Sequence, residues 1–152
     1  MSSVRSTKTA TVVKGYDPTP HLVSKSTKHD DKLTDPLIIG PGIWLTIHIT
    51  AKKAGEGTYE KQAFVSYMKS LRESFPCLTC RSHIEEYMKT HPFDPFWSIT
   101  DPTTGRDIGL FMWAWNFHNA VNRRLNKPIV DWTTAVGLFY DDNSVCSLEC
   151  GH

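Results

Sequence analysis

The clearest chemical potential in this sequence belongs to two cysteines, Cys77 and Cys80, separated by two residues. Such a pair can alternate between dithiol and disulfide, can bind a metal ion, or can do neither. Pro76 precedes the pair and the residues that follow are helical in pattern. Cys77 is therefore predicted near a helix N-terminus, where unpaired N–H groups and the helix dipole stabilise a thiolate. The local motif alone leaves redox chemistry, a zinc half-site and two inert thiols open.

A second pair, Cys146 and Cys150, lies near the end of the chain after a polar stretch. Four cysteines in two close pairs are too few for a disulfide-dense secreted scaffold. In an intracellular protein such pairs indicate redox or metal chemistry. The cysteine count therefore supports a functional site.

The size and charge of the chain exclude several classes of protein. Its 152 residues suit one domain, and 17 basic against 16 acidic residues leave a net charge of +1. No apolar run approaches the roughly 18 residues of a membrane span, and the N-terminus lacks the apolar segment of a secretory signal. We therefore expect a cytoplasmic protein with no membrane span and no nucleic-acid partner.

Apolar spacing predicts a small all-α fold. Four helices and a short fifth are expected, and no segment indicates a strand. The predicted helices are one from Pro41 to the glycines at 55 and 57, one capped by Thr58, one over 78–90, one over 108–126 capped by Asp107, and one over 132–140 capped by Asp131.

Composition divides the chain into three parts. Residues 1–36 are rich in Ser, Thr, Lys, Asp and Pro and are predicted to be a flexible tail. Residues 37–140 form the helical domain. Residues 141–152 are predicted to be a flexible C-terminal segment that carries the second cysteine pair.

The fourth helix presents two different faces. One is apolar and suits a core: Leu110, Ala114, Phe117, Val121 and Leu125. The other mixes aromatic, imidazole and amide groups: Phe111, Trp115, His118, Asn119 and Asn122. Because buried polar groups need partners, the second face suggests a flat ligand with hydrogen-bonding edges and rings to stack on. Polar side chains in solvent beside aromatics at the core margin would give the same pattern.

Three separated motifs together resemble the Erv/ALR family of FAD-linked sulfhydryl oxidases. They are Gly40-Pro41-x-x-Trp44-x-x-x-His48, Pro76-Cys77-x-x-Cys80 and His118-Asn119-x-Val121-Asn122-x-x-Leu125-x-Lys127-Pro128. They span about residues 37–132 in the order and spacing of the family. The Gly-Pro start and the His-Pro after the third helix look most like the versions encoded by large DNA viruses. That resemblance would place the protein in the host cytoplasm or the virion.

The resemblance implies a four-helix bundle that binds FAD, with the isoalloxazine beside the CxxC pair and no metal. By motif position, the residues implied as FAD contacts are Gly40, Trp44, His48, Tyr87, Trp115, His118, Asn119, Val121, Asn122, Leu125 and Lys127. Tyr87 matches only some members of the family. Trp115 is inferred chiefly from the helical wheel.

The resemblance also implies a reaction, in which an FAD-dependent thiol oxidase makes disulfides in client proteins. A client dithiol attacks Cys77, Cys80 passes two electrons to FAD, and dioxygen accepts them to give hydrogen peroxide. Cys146 and Cys150 resemble the shuttle cysteines of several relatives, although a structural or inert pair stays open. Family members are usually homodimers.

Two departures from the family pattern generate expectations of their own. Many members have Arg where this chain has Pro41, so a phosphate contact would come from Lys127 or Arg123. Members also commonly carry a disulfide at the positions of Trp115 and Trp132. We expect these two indoles to lie in or near contact and to fasten the fifth helix.

The alternative to an oxidase is a non-enzymatic zinc-binding helical module. Cys77, Cys80 and His83 would supply ligands of the types that zinc prefers. This alternative leaves the third motif unexplained. In an oxidase, His83 would assist proton movement or simply contact solvent.

Overall fold

The computed structural model describes residues 34–141, and this part of the chain is helical. Its five α-helices are α1 (Pro36–Lys53), α2 (Thr58–Ser74), α3 (Leu78–Thr90), α4 (Gly109–Arg124) and α5 (Trp132–Tyr140). One-turn 3₁₀ helices occupy Ala54–Glu56 and Asp94–Phe96, and one isolated bridge joins Thr100 to Asp107. The predicted all-α class is therefore confirmed. Cys146, Cys150 and nearly all of both predicted tails lie outside the described residues.

The first helix begins five residues before the predicted start at Pro41. Asp35 is its N-cap, because its Oδ1 accepts a hydrogen bond from the Leu37 N–H at 2.9 Å. Pro36 occupies the first helical position, where the missing N–H costs nothing. Pro41 instead lies inside α1 and removes one backbone hydrogen bond.

The bounds of α3 and α5 are as predicted, and Asp131 caps α5 as expected. The Cys77 Sγ accepts from the Cys80 N–H at 3.2 Å, and Asp131 accepts from the Thr134 N–H at 2.9 Å. The other two predicted caps differ by one residue. Gly57 rather than Thr58 precedes α2, and Ile108 rather than Asp107 precedes α4.

The core is unusually rich in aromatic rings and is formed mainly by α1, α2 and α4. Its most buried members include Ile47, Phe64, Met68, Leu110, Phe111, Trp113, Ala114 and Phe117. Trp113 belongs to neither predicted face of α4, yet it is fully buried and donates from Nε1 to the His91 carbonyl at 2.8 Å. A helix that is apolar around most of its circumference is buried on more than one side.

Phe111 in α4 and Leu125, the C-cap of α4, differ in burial from the prediction. Phe111, predicted for the ligand face, is fully buried and packs edge-on against Trp132 and Tyr140. Leu125, predicted for the core face, is about half-exposed. Phe111 therefore fastens α5 to the core.

A largely buried ion pair joins α2 to the start of α4. The Lys61 ammonium contacts the Asp107 carboxylate, donates to the Trp97 carbonyl, and lies 5.5 Å from the centre of the Trp97 ring. The second Asp107 oxygen accepts from the Gly109 N–H at 3.3 Å. Removing one partner of such a pair leaves the other charge buried and unpaired.

Substitution of Lys61 by Met is expected to lower the free energy of unfolding by about 3 kcal/mol, because Asp107 loses its counter-charge. Denaturant unfolding measures this change. The matched control is Lys53→Met, which breaks the exposed pair with Glu56 and should cost at most about 1 kcal/mol. Equal losses in the two variants would show that the buried pair has no special role.

Candidate functional site

Cys77 and Cys80 form a disulfide at the N-terminus of α3, with their Cα atoms 5.2 Å apart. Both side chains are half-buried. The Cys80 side chain lines the large cavity beside it, whereas Cys77 does not. The two sulfurs therefore differ in surroundings, one inside the site and one at its edge.

The cavity beside the disulfide has a volume of about 560 Å³ and lies among α1, the end of α2, α3, α4 and α5. Cavities of this size and mostly apolar lining commonly hold cofactors or small molecules. Ten of the eleven residues predicted to contact FAD line it together with Cys80, namely Gly40, Trp44, His48, Trp115, His118, Asn119, Val121, Asn122, Leu125 and Lys127.

Tyr87 is the predicted residue that the structure places elsewhere. It lies two turns, about 10 Å, further along α3 than Cys80. Its ring stacks on His91 with centroids 4.2 Å apart and packs against Phe117. It borders a smaller groove of about 170 Å³ between α3 and α4. Burial raises the pKa of Tyr87 to about 12.

One wall of the cavity is built from an indole and two imidazoles. The Trp44 and His118 rings stack with centroids 4.0 Å apart and planes 4° apart. The His48 Nε2 and the His118 Nδ1 are hydrogen-bonded at 3.0 Å, which joins α1 to α4. One nitrogen must donate while the other accepts, so the pair suits two neutral rings.

Burial is the main cause of the low basicity of both histidines. It lowers the pKa of His48 to about 4, with a further contribution from His118. It likewise lowers the pKa of His118 to about 4, and the positive charge of Lys127 adds to this effect. The His48 Nδ1 is buried with no hydrogen-bond partner in the described part of the chain. A ligand group in the cavity could supply that partner.

The two asparagines of the third motif have different surroundings. The Asn119 side chain is bonded to the backbone of Val130 through both its donor and its acceptor. Asn122 is 7% exposed, and within residues 34–141 its side-chain amide has no hydrogen-bond partner. Both are buried, so the interpretation of the polar face as solvent-exposed is wrong for them.

The predicted contact between the two indoles is confirmed. Trp115 and Trp132 meet edge to face with centroids 5.3 Å apart. The Trp115 Nε1 also donates to the Val130 carbonyl at 2.8 Å. Trp132 is the first residue of α5, so these contacts fasten that helix at its N-terminus.

Two charged or titratable residues of the lining were not among the predicted contacts. Arg124 borders the cavity, whereas Arg123, named for a phosphate contact, does not. His83 also borders it, and its Nδ1 is buried without a partner in the described part of the chain. The available signal was helical spacing, since His83 follows Cys80 by three residues and shares its face.

The zinc alternative finds no support in this region. Within residues 34–141, no three His, Cys, Asp or Glu side chains are grouped as metal ligands. Cys77 and Cys80 are joined to each other, and a disulfide offers no thiolate to zinc.

None of the helices within residues 34–141 has the length and apolar character needed to cross a membrane.

Comparison with known proteins agrees with the three sequence motifs. The model of the Erv1 / Alr family matches residues 41–141. The chain belongs to the Erv1 / Alr family. The match covers all of the cavity-lining motifs described above except Gly40, which lies one residue before it.

Individual proteins named as sulfhydryl oxidases are similar in sequence to most of this chain. A protein of African swine fever virus named FAD-linked sulfhydryl oxidase is 30% identical over 114 residues, which are 74% of this chain and 87% of the relative. A Frog virus 3 protein is 35% identical over 109 residues, 68% of this chain and 67% of the relative. Rice sulfhydryl oxidase 1 is 31% identical over 110 residues, 69% of this chain but 19% of the relative. The predicted resemblance to versions from large DNA viruses is confirmed.

The neutral histidine pair predicts a specific loss of stability in acid. His48 and His118 titrate near pH 4 when folded but near pH 6.5 when unfolded, so the unfolded chain binds protons first as the pH falls. The melting temperature should therefore be highest above pH 6.5 and fall between pH 6.5 and 4. The double variant His48→Gln/His118→Gln should flatten this fall, measured by thermal melting across the pH range.

The matched control is His91→Gln, which changes an exposed histidine outside the cavity. Its pH profile should follow that of the original chain. If the double variant and the original chain lose stability over the same pH range to the same extent, the pair is not the source of the acid sensitivity.

Proposed function

We propose that this protein is an FAD-dependent thiol oxidase that makes disulfides in client proteins. The observation that carries the proposal is the position of Cys80, whose side chain belongs both to the disulfide and to the wall of the cavity. The relatives named FAD-linked sulfhydryl oxidase support the cofactor and the type of reaction.

The residues of the cavity fit FAD in their chemistry. Trp44 and His118 offer ring surfaces for a flat aromatic ligand, while the His48 Nδ1 and the Asn122 amide offer unused hydrogen-bonding groups. Arg124 and Lys127 border the same cavity and suit the two phosphates of a dinucleotide. Lys127 and Arg124, rather than Arg123, are therefore proposed to replace the family arginine.

The thiol chemistry begins at Cys77. A client thiolate attacks the Cys77 sulfur, the Cys77–Cys80 bond breaks, and Cys80 leaves as a thiolate. Its location in the first turn of α3 stabilises that charge. A second client thiolate then attacks the mixed disulfide, which releases Cys77 and completes the client disulfide. Two electrons now reside in the Cys77–Cys80 dithiol.

The position of Cys80 supports one route by which those electrons could leave. FAD, when bound, supplies a two-electron acceptor that dioxygen can later reoxidise. Because Cys80 lines the cavity and Cys77 does not, Cys80 is proposed as the donor to the cofactor. Summed over the cycle, one dithiol and one dioxygen give one disulfide and one hydrogen peroxide.

Serine substitution of the two cysteines tests this proposal. Cys77→Ser and Cys80→Ser should each reduce dithiol-dependent oxygen consumption to the background rate, because neither variant can form the disulfide. An oxygen electrode with a small dithiol as substrate measures the rate. Substantial activity in Cys80→Ser would show that electrons reach the cofactor by another route.

The second cysteine pair, Cys146 and Cys150, is given a different role from Cys77 and Cys80. Its serine variant is also the control for the oxygen-consumption assay. Cys146 and Cys150 are proposed to be shuttle cysteines that pass electrons from a client protein to Cys77. Changing both to Ser should leave oxidation of a small dithiol unchanged and impair oxidation of a reduced protein. Equal losses on both substrates would argue against a shuttle.

We also propose that the protein forms a homodimer through α1. Ile38, Leu45 and Ile49 are 54%, 53% and 50% exposed, and their spacing of seven and four residues places them on one side of the helix. An exposed apolar stripe of this kind is typical of a contact surface.

Ile49→Glu is expected to convert the dimer into a monomer, because it places a charge within the apolar stripe. Sedimentation velocity measures the change in mass. Ile129→Glu is the matched control, since Ile129 is equally exposed but lies between α4 and α5. A monomeric original chain, or a dimer that survives Ile49→Glu, would rule out this interface.

A further inference from the structure

The side chain of Asn119 is held by the backbone of a single residue. Its Nδ2 donates to the Val130 carbonyl at 2.7 Å, and the Val130 N–H donates to its Oδ1 at 3.0 Å. The Trp115 Nε1 donates to the same carbonyl at 2.8 Å. A carbonyl oxygen has two lone pairs, so these two donors satisfy it fully. Asn119 is only 5% exposed, which protects the contacts from water.

Asn122 is the natural comparison, because it lies three residues later on the same helix and borders the same cavity. Its side-chain amide has no protein partner in the described range, although its backbone carbonyl accepts from Leu125 and Lys127. One buried amide of the motif is therefore engaged by the protein, and the other is available to a ligand.

Val130 lies in the connection that carries one side of the cavity. Lys127 and Val130 both border the cavity, and α5 beyond them contributes Ala135 and Phe139. This connection turns at Asn126, whose φ of 55° is in the left-handed region. Lys127 is held by its own N–H, which donates to the Asn122 carbonyl at 2.8 Å. The contacts of Val130 with α4 therefore fasten the later part of the connection, next to the start of α5.

We propose that Asn119 is a positioning residue that fixes Val130, and through it the α4–α5 connection, before the cofactor binds. The proposal rests on the proposed function, since the cavity is taken to hold FAD. Asn119 strengthens FAD binding by keeping Val130 and the start of α5 in place, because a preorganised site loses less conformational entropy on binding. Asn122 acts differently, through direct contact.

Amide hydrogen exchange and thermal melting of the FAD-free protein test the positioning role. Asn119→Ala should speed exchange at the Val130 amide about tenfold, as expected for one lost hydrogen bond, and lower the melting temperature by about 4–8 °C. Asn122→Ala should leave both unchanged. Both variants should weaken FAD binding, measured by flavin fluorescence titration.

The flavin spectrum at saturating FAD separates the two roles. Asn119→Ala should then show the flavin absorbance of the original chain, because every direct contact is intact. Asn122→Ala should show flavin absorbance that is shifted from that of the original chain even at saturating FAD, because it has lost its direct contact with the cofactor. Unchanged exchange and melting in FAD-free Asn119→Ala, together with a shifted spectrum at saturation, would overturn the proposal and make Asn119 a direct ligand.

A second variant covers the case in which Asn119→Ala does not fold. Trp115→Phe removes one donor to the Val130 carbonyl but keeps an aromatic ring, and it should raise exchange across residues 127–131 without unfolding the protein. If amide exchange across residues 127–131 is unchanged in Trp115→Phe, the hydrogen bonds to Val130 do not hold the α4–α5 connection and the proposal is wrong. If the original chain binds no FAD, the proposed function fails, while exchange in the FAD-free protein still decides the role of Asn119.

Discussion

The hydrogen bond between His48 and His118 is the contact around which the cavity is organised. It joins α1 to α4 across seventy residues of sequence and is covered by the stacked Trp44 ring. The bond needs one nitrogen that accepts, so it is lost if both rings are protonated. Burial opposes that double protonation, because it lowers the pKa of both histidines to about 4. The same arrangement leaves the His48 Nδ1 without a protein partner and available to a bound group.

The other side of the cavity is fastened without a covalent link. Trp115 contacts Trp132 at the positions where the family resemblance implies a disulfide, and Phe111 packs against α5 from the core. Aromatic pairs of this geometry each contribute about 0.5–1.5 kcal/mol beyond the area they bury. Within residues 34–141 the cysteines are Cys77 and Cys80, and they are joined to each other.

Sequence reasoning succeeded where a local rule acts alone. The start of α3 follows from Pro76, which ends the preceding helix, and the start of α5 follows from Asp131, whose side chain caps it. The start of α1 was misplaced because two prolines, at 36 and 41, both suit a first helical position, and the cap from Asp35 decides between them. Burial of Trp113 was missed because α4 packs on three sides, whereas a two-face model of the helix leaves that direction open.

The cavity lining was predictable from motifs, but the engagement of its polar atoms was not. Asn119 and Asn122 look alike in sequence, and only the position of Val130 in three dimensions distinguishes a bonded amide from an available one. Similarly, Arg123 and Arg124 are neighbours, yet a rotation of 100° along α4 puts only the second on the cavity. Such differences depend on tertiary packing, which no local pattern encodes.

In the proposed function, the reduced Cys77–Cys80 pair passes its two electrons to FAD in the adjoining cavity. The most direct measurement is the visible spectrum of the purified full-length protein, recorded without oxygen before and after adding a small dithiol. We expect a yellow protein with flavin absorbance that disappears with the dithiol and returns with oxygen. A colourless protein carrying stoichiometric zinc, or flavin absorbance that the dithiol leaves unchanged, would contradict it.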